Sequence, residues 1–164
     1  MSQREIKGAL AKLLATENLT VEHTKCETAS FDVKNRVLSL PLWIASESVY
    51  DMLVGHEVGH ALYTPAEEWT DMLNVPQSYV NILEDVRIEK AMKEKFPGLR
   101  KDFFQGYKEL NEKDFFGIEI LDLEKLKLID RINLHYKVGI VDHTKPIPFF
   151  LSLIHISEPT RQDR

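Results

Sequence analysis

Hydrophobic positions recur along this chain with two periods, and the switches between them divide it into elements. Ile6, Leu10, Leu13 and Leu14 fall at helical spacing and predict a first helix over 4–16. Short runs at 19–22, 29–33 and 36–40 read as three strands. Lys34-Asn35 offers a two-residue hairpin turn because Asn tolerates positive φ, and Pro41 favours an edge position for the end of the third strand. Such an edge just before the next helix would let an extended peptide add itself as a further strand.

Ser46 is a fitting N-cap with Glu47 in the first turn, and Thr64-Pro65 is a stop signal. Between them Val49, Met52, Leu53, His56 and His60 follow the i, i+3, i+4 pattern, so two histidines continue an apolar stripe toward the interior. Gly55 and Gly59 each cost this helix about 1 kcal/mol relative to Ala, which predicts a closely packed neighbour on that flank, a β-strand on this reading. In the connection 66–75, Trp69, Met72 and Leu73 predict packing rather than a free linker. Pro76 opens a second long helix, from 77 to about 96. It is apolar nearly all round, with Tyr79, Ile82, Leu83 and Val86 on one side and Val80, Ile88, Ala91 and Met92 on the other, so it is expected to be sandwiched. Phe96-Pro97-Gly98 ends it. A short helix over 99–110 carries Phe103, Phe104 and Tyr107, and Asp122 is placed to cap a last one over 123–138 with Leu126, Ile129, Ile132 and Tyr136 on its core face.

The pattern predicts an α+β domain: a small N-terminal antiparallel or mixed sheet packed on the histidine helix and a second long helix, with a helical C-terminal half. The chemistry lies in His56-Glu57-Val58-Gly59-His60, which reads His-Glu-x-x-His. Four residues apart on a helix, His56 and His60 point to one side about 6 Å apart along the axis, so both can bind one zinc ion. Glu57 is too far round the helix to be a comfortable third ligand, but it can reach a water on the metal as general base. A catalytic zinc site takes three protein ligands and keeps one position for water. Among the carboxylates of the second long helix, Glu84 falls in the stripe of Val80, Ile88 and Ala91, whereas Asp85 and Glu89 cluster with Ser78 on the polar arc. A carboxylate in an apolar stripe must shift its pKa, pair with a cation or bind a metal. Glu84 is therefore the expected third ligand. If it pairs with Arg87 or Lys90 instead, Asp85 is next in line; otherwise Asp85 and Asn81 are expected to orient a histidine. His135 and Tyr136 are candidates for stabilising an oxyanion; His23 and His143 rank lower.

Composition narrows the class. With 164 residues, 43% hydrophobic and 29% charged, the chain suits one globular domain with a real core. A net charge of -5 and the lack of a basic stripe argue against a nucleic-acid partner. The sequence shows neither a secretory signal nor a run long enough to span a membrane, and its single cysteine, Cys26, agrees with a reducing compartment. A cytoplasmic location is expected.

The stretch His56-Glu57-Val58-Gly59-His60-Ala61-Leu62-Tyr63-Thr64-Pro65, followed by Asn81-Ile82-Leu83-Glu84-Asp85-Val86-Arg87-Ile88-Glu89, resembles the amino-terminal region of metallopeptidase-like proteins encoded by tailed phages and some bacteria. In those proteins a von Willebrand factor A-type domain often follows. The resemblance covers most of residues 20–150 and implies a zincin of the gluzincin type, with His56, His60 and Glu84 as zinc ligands, Glu57 as catalytic base and a peptide or protein as substrate. It implies the cytoplasm of a host cell if the protein is phage-encoded. It also implies an alternative, a non-catalytic zinc-containing interaction or assembly module that works with the missing von Willebrand-type domain and a ring ATPase. Residues 151–161 are similar to the conceptual translation of a transposase-type sequencing adapter. Residues 1–150 are accordingly read as a zincin-like domain truncated at its C-terminal end, and 151–164 as a non-native tail outside fold reasoning.

Overall fold

The computed structural model describes residues 3–42, 46–65, 75–139 and 147. The packing expected of Trp69, Met72 and Leu73, the rank given to His143 and the tail at 151–164 lie outside the described residues. The elements run α1 (Gln3–Ala15), β1 (Thr20–Thr24), β2 (Ser30–Asp32), β3 (Val37–Pro41), α2 (Glu47–Tyr63), α3 (Gln77–Lys95), α4 (Leu99–Glu112) and α5 (Leu128–Val138). The chain is α+β, with a small mixed sheet between α1 and the later helices.

The sheet order is β1-β3-β2, with β1 parallel and β2 antiparallel to β3. β3 is thus the central strand, but β2 pairs with it no further than Ser39, so among the described residues Pro41 has a strand partner on one side only, as expected for the end of this strand. Pro41 is tolerated because it closes the strand opposite Thr24, and the amide of Leu42 makes the next bond to the Thr24 carbonyl. The turn between β2 and β3 differs from expectation. The Asp32 carboxylate accepts from the amides of Lys34 and Asn35 at 2.9 and 2.8 Å, and the left-handed residue is Arg36, at φ 58°, not Asn35. That conformation sends the Arg36 guanidinium to Glu17 and, at 2.7 Å, to the carbonyl of Ala61, tying the turn to the last part of α2.

The helix α2 is buried on most of its circumference, well beyond the single stripe predicted. Ser46 caps it as expected, accepting from the Val49 amide at 3.2 Å. Its core partners are Ala11 and Ala15 of α1, Leu38 and Leu40 of β3, Met92 of α3, and Leu99, Phe103, Tyr107 and Leu110 of α4. In α1, Ala11 and Ala15 are buried and Leu14 packs against the core as its spacing predicts, whereas Leu13 is 75% exposed. The close neighbours of Gly55 and Gly59 are helices rather than a strand. A Cβ on Gly55 would meet Leu99 and Phe103 of α4 at 3.3 Å; on Gly59 it would meet Met92 and Ile88 of α3 at 3.1 and 3.2 Å.

α3 runs over the predicted span and packs on α2 through Ile88 and Met92 and on α5 through Tyr79 and Ile82, but it is not buried all round. Val80, Glu84, Ile88, Glu89 and Met92 are buried, whereas Leu83 is 45% exposed. α5 begins later than predicted. Asp122 closes only a local turn, accepting from the Glu124 amide at 3.3 Å, and the helix starts after Lys127. Ile129 and Ile132 of α5 pack on Tyr79 and Ile82 of α3, while Leu134 and Val138 join Ile118 and Ile147 in a separate small core. Among the described residues no helix is long and apolar enough to cross a membrane.

Candidate metal centre

The helices α2 and α3 face each other with two side-chain pairs at i, i+4 spacing: His56 and His60 on one, Asp85 and Glu89 on the other. Nε2 of His60 lies 3.3 Å from Asp85 Oδ1, and Nε2 of His56 lies 3.5 Å from the same oxygen. The three residues form a group able to hold a metal ion, with their candidate ligand atoms within 4.8 Å of one another. Each imidazole is fixed from behind. Nδ1 of His56 is 3.0 Å from Glu89 Oε1 and donates to it. Nδ1 of His60 is 2.9 Å from Thr64 Oγ1, which in turn donates to Glu84 Oε1 at 2.7 Å; the hydroxyl proton is thus committed to Glu84, and the hydroxyl accepts from the imidazole. With both Nδ1 atoms acting as donors, each ring in its neutral form would turn a bare Nε2 lone pair toward Asp85.

Two ring lone pairs and a carboxylate oxygen repel one another unless a cation lies among them. A proton or a metal ion would satisfy them. Zinc bonds of about 2.0–2.1 Å in a tetrahedron set ligand atoms roughly 3.3 Å apart, close to the 3.3 and 3.5 Å separations here. The donor set of two imidazoles and one carboxylate, each imidazole braced by an oxygen, fits zinc.

Glu84, expected to be the third ligand, is not in this group. It is buried, as its place in the stripe predicts, but its carboxylate takes two bonds from Arg87, both at 2.7 Å, and one from Thr64. Arg87 also donates to the Tyr63 carbonyl at 2.7 Å, so the pair fastens α3 to the end of α2. Glu84 therefore acts on His60 through Thr64. The structure brings Asp85 to the histidines instead, the residue next in line if Glu84 paired with Arg87. Glu89, expected on a polar arc, is only 4% exposed. Besides His56 it accepts from the Tyr107 hydroxyl of α4 and pairs with Lys93 at 3.0 Å.

Electrostatics follow from these contacts. Burial opposes a charge on His56, but the Asp85 and Glu89 carboxylates prevail and push it up to about 10. Burial likewise opposes the anions, yet the imidazoles hold Asp85 far below the usual carboxylate range and Glu89 down at about 2. Glu57, 6% exposed, moves the other way: burial raises it more than His56 and His60 lower it. A carboxylate made more basic beside a cationic centre is suited to accepting a proton.

Lys137 of α5, which sequence reasoning passed over, pairs with Asp85 Oδ2 at 3.3 Å. Its neighbour Tyr136 packs edge-on against His135 with ring centroids 5.3 Å apart. His23 stacks on Tyr50, centroids 6.5 Å apart, and Cys26 lies beside the Thr24 carbonyl in the sheet region. Glu89 was legible in principle: Asp85 and Glu89 repeat the i, i+4 spacing of His56 and His60, a signal independent of apolar stripes. Tyr107 and Lys137 carry no such signal. In comparisons with known proteins, no family model matches the chain, and neither a curated protein nor a solved structure matches it.

Proposed function

We propose that this chain is a zinc-dependent peptide hydrolase domain of zincin type, with His56, His60 and Asp85 as the metal ligands and Glu57 as general base. One observation carries the reading: the Nε2 atoms of His56 and His60 both lie at tetrahedral-edge distances from Asp85 Oδ1, with both rings braced through Nδ1. When bound, zinc supplies a Lewis acid that polarises the scissile carbonyl and acidifies a water. Glu57, next to His56 in the helix and raised by burial, takes the proton of the attacking water and returns it to the leaving amine. Glu89 and the Thr64–Glu84 pair keep the imidazoles in the tautomer that leaves Nε2 free. Lys137 holds the outer oxygen of Asp85, so that one oxygen is committed to the ligand set.

Elemental analysis of the purified chain is the test. About one zinc per chain is expected in the wild type and in Glu84→Gln, with loss in His56→Ala and Asp85→Asn. Retention of zinc in Asp85→Asn with loss in Glu84→Gln would return the third position to Glu84. Glu57→Gln should keep its zinc and lose hydrolysis of a peptide library by at least about a hundredfold, the scale of general-base catalysis. Full cleavage by Glu57→Gln would overturn the mechanism. A zinc ion without exchangeable water would favour the interaction module instead.

A further inference from the structure

Beside the metal centre, between α3, α4 and α5, lies a pocket of about 210 Å³ whose cations are Lys93, Arg100 and Lys137. The rings of Phe103, Phe104 and Tyr136 form much of the rest of its wall. Two of the cations are already engaged with the centre: Lys137 with Asp85 at 3.3 Å, and Lys93 with Glu89 at 3.0 Å while lying over the Phe103 ring at 4.5 Å. Tyr107 also lines the pocket and donates to Glu89. The pocket therefore shares its wall with the groups that hold His56 and supply the third ligand.

Arg100 differs from the two lysines. Its Nε donates to the Lys93 carbonyl at 3.0 Å, which anchors the guanidinium, and among the described residues no carboxylate pairs with it. Three cations face two carboxylates, so the wall carries one positive charge in excess. A divalent ion at the histidines would increase that excess by engaging Asp85. At roughly 30 Å³ per water the volume equals about seven waters, room for a single amino-acid side chain or terminus. A guanidinium with free forked donors, flanked by aromatic faces, matches a planar carboxylate on a short apolar stem.

The geometry points to this pocket as a carboxylate-binding subsite of the metal centre, taking either the free C-terminus of a peptide or an acidic side chain through Arg100 and Lys137. Its role as a substrate subsite rests on the hydrolase reading above; its affinity for carboxylates does not. Isothermal titration of the full chain, zinc-loaded and zinc-free with metal content verified, separates the two. The probes are N-acetylphenylalanine, its carboxamide, and N-acetylaspartic acid with a blocked terminus.

At least one acid is expected to bind, with the carboxamide about tenfold weaker or worse, the scale of one charge-assisted hydrogen bond. Arg100→Gln, an exposed substitution outside the core, should weaken the acid by a similar factor, and Lys137→Gln should do the same. Preference for N-acetylphenylalanine assigns the site to a C-terminus; preference for the aspartic probe assigns it to a side chain. Equal binding of acid and carboxamide, no binding of either acid, or affinity unchanged in both variants overturns the subsite. Acid binding with unchanged residue dependence in a chain that takes up no zinc would overturn the metal reading and leave the subsite. Zinc uptake without acid binding would do the reverse.

Discussion

At the scale of single residues, the centre depends on which nitrogen of each histidine is free, and that is decided by Glu89 and Thr64 rather than by the histidines. Removing the Glu89 charge should loosen His56 without removing a ligand. Glu89→Gln is expected to weaken zinc binding by about 10–100-fold, read by competition with a chromogenic chelator. The same contacts set the pH dependence. In the metal-free protein His56 holds a proton up to about 10, so zinc must displace it. Apparent zinc affinity should therefore rise with pH, by about tenfold per unit between roughly pH 6 and 8, with a proton released on binding. A flat profile would show that His56 is already neutral. For stability of the metal-free chain the signs are opposite for base and acid. The raised His56 contributes stability that is complete below 6.5 and lost as pH rises through about 10. The depressed Glu89 contributes stability present above 4.5 and lost as pH falls toward about 2.

At the scale of elements, the site rests on how closely α2 is approached by α3 and α4. Gly106 of α4 sits where a Cβ would come within 2.9 Å of Met52 Cβ and 3.2 Å of the Ser48 carbonyl. Neither atom is the free end of a side chain, so α4 must move away. Gly106→Ala should lower stability by about 1–2 kcal/mol in chemical denaturation, overpacking outweighing the gain in helix propensity. Gly98→Ala, with nothing within 4 Å of the added carbon, should stay within about 0.5 kcal/mol of the wild type. Equal effects at the two sites would mean that α4 repacks freely. Gly55 and Gly59 announced a close neighbour in the sequence, but glycine spacing carries no information on whether that neighbour is a strand or a helix. Pro41 was informative about its own position alone: it pairs only with β1, whereas Ser39, two residues earlier, pairs on both sides. A proline excludes a donor only at its own position, and at the last residue of β3 that loss is compatible with a central strand.

At the scale of the whole molecule, zinc would bridge α2 and α3, two elements separated by a connection, and would bind only the folded arrangement. At free zinc one hundred times its dissociation constant the gain is about 2.7 kcal/mol. Chelation should therefore lower the melting temperature by roughly 5–10 °C for a chain of this size. His56→Ala should melt at the same temperature with and without chelator; a chelator effect that survives in this variant would place the ion elsewhere.

Local spacing along the chain was enough for the α+β order of elements, the cap at Ser46, the span of α3, and the placing of His56 and His60 on one side of a helix with Glu57 between them. Burial of Glu84 was also legible, because an apolar stripe fixes which arc of a helix faces inward. Which carboxylate meets the imidazoles depends on how the helices pack. Glu84 and Asp85 are neighbours about 100° apart on α3, so the rotation of that helix against α2 decides which of them faces the imidazoles. The rotation is set by Ile88 and Met92 packing on Gly59 and by Arg87 reaching the Tyr63 carbonyl, contacts between residues distant in sequence. Lys137 and Tyr107 arrive at the centre from α5 and α4 for the same reason: their positions follow from helix packing, which no periodicity within either helix encodes.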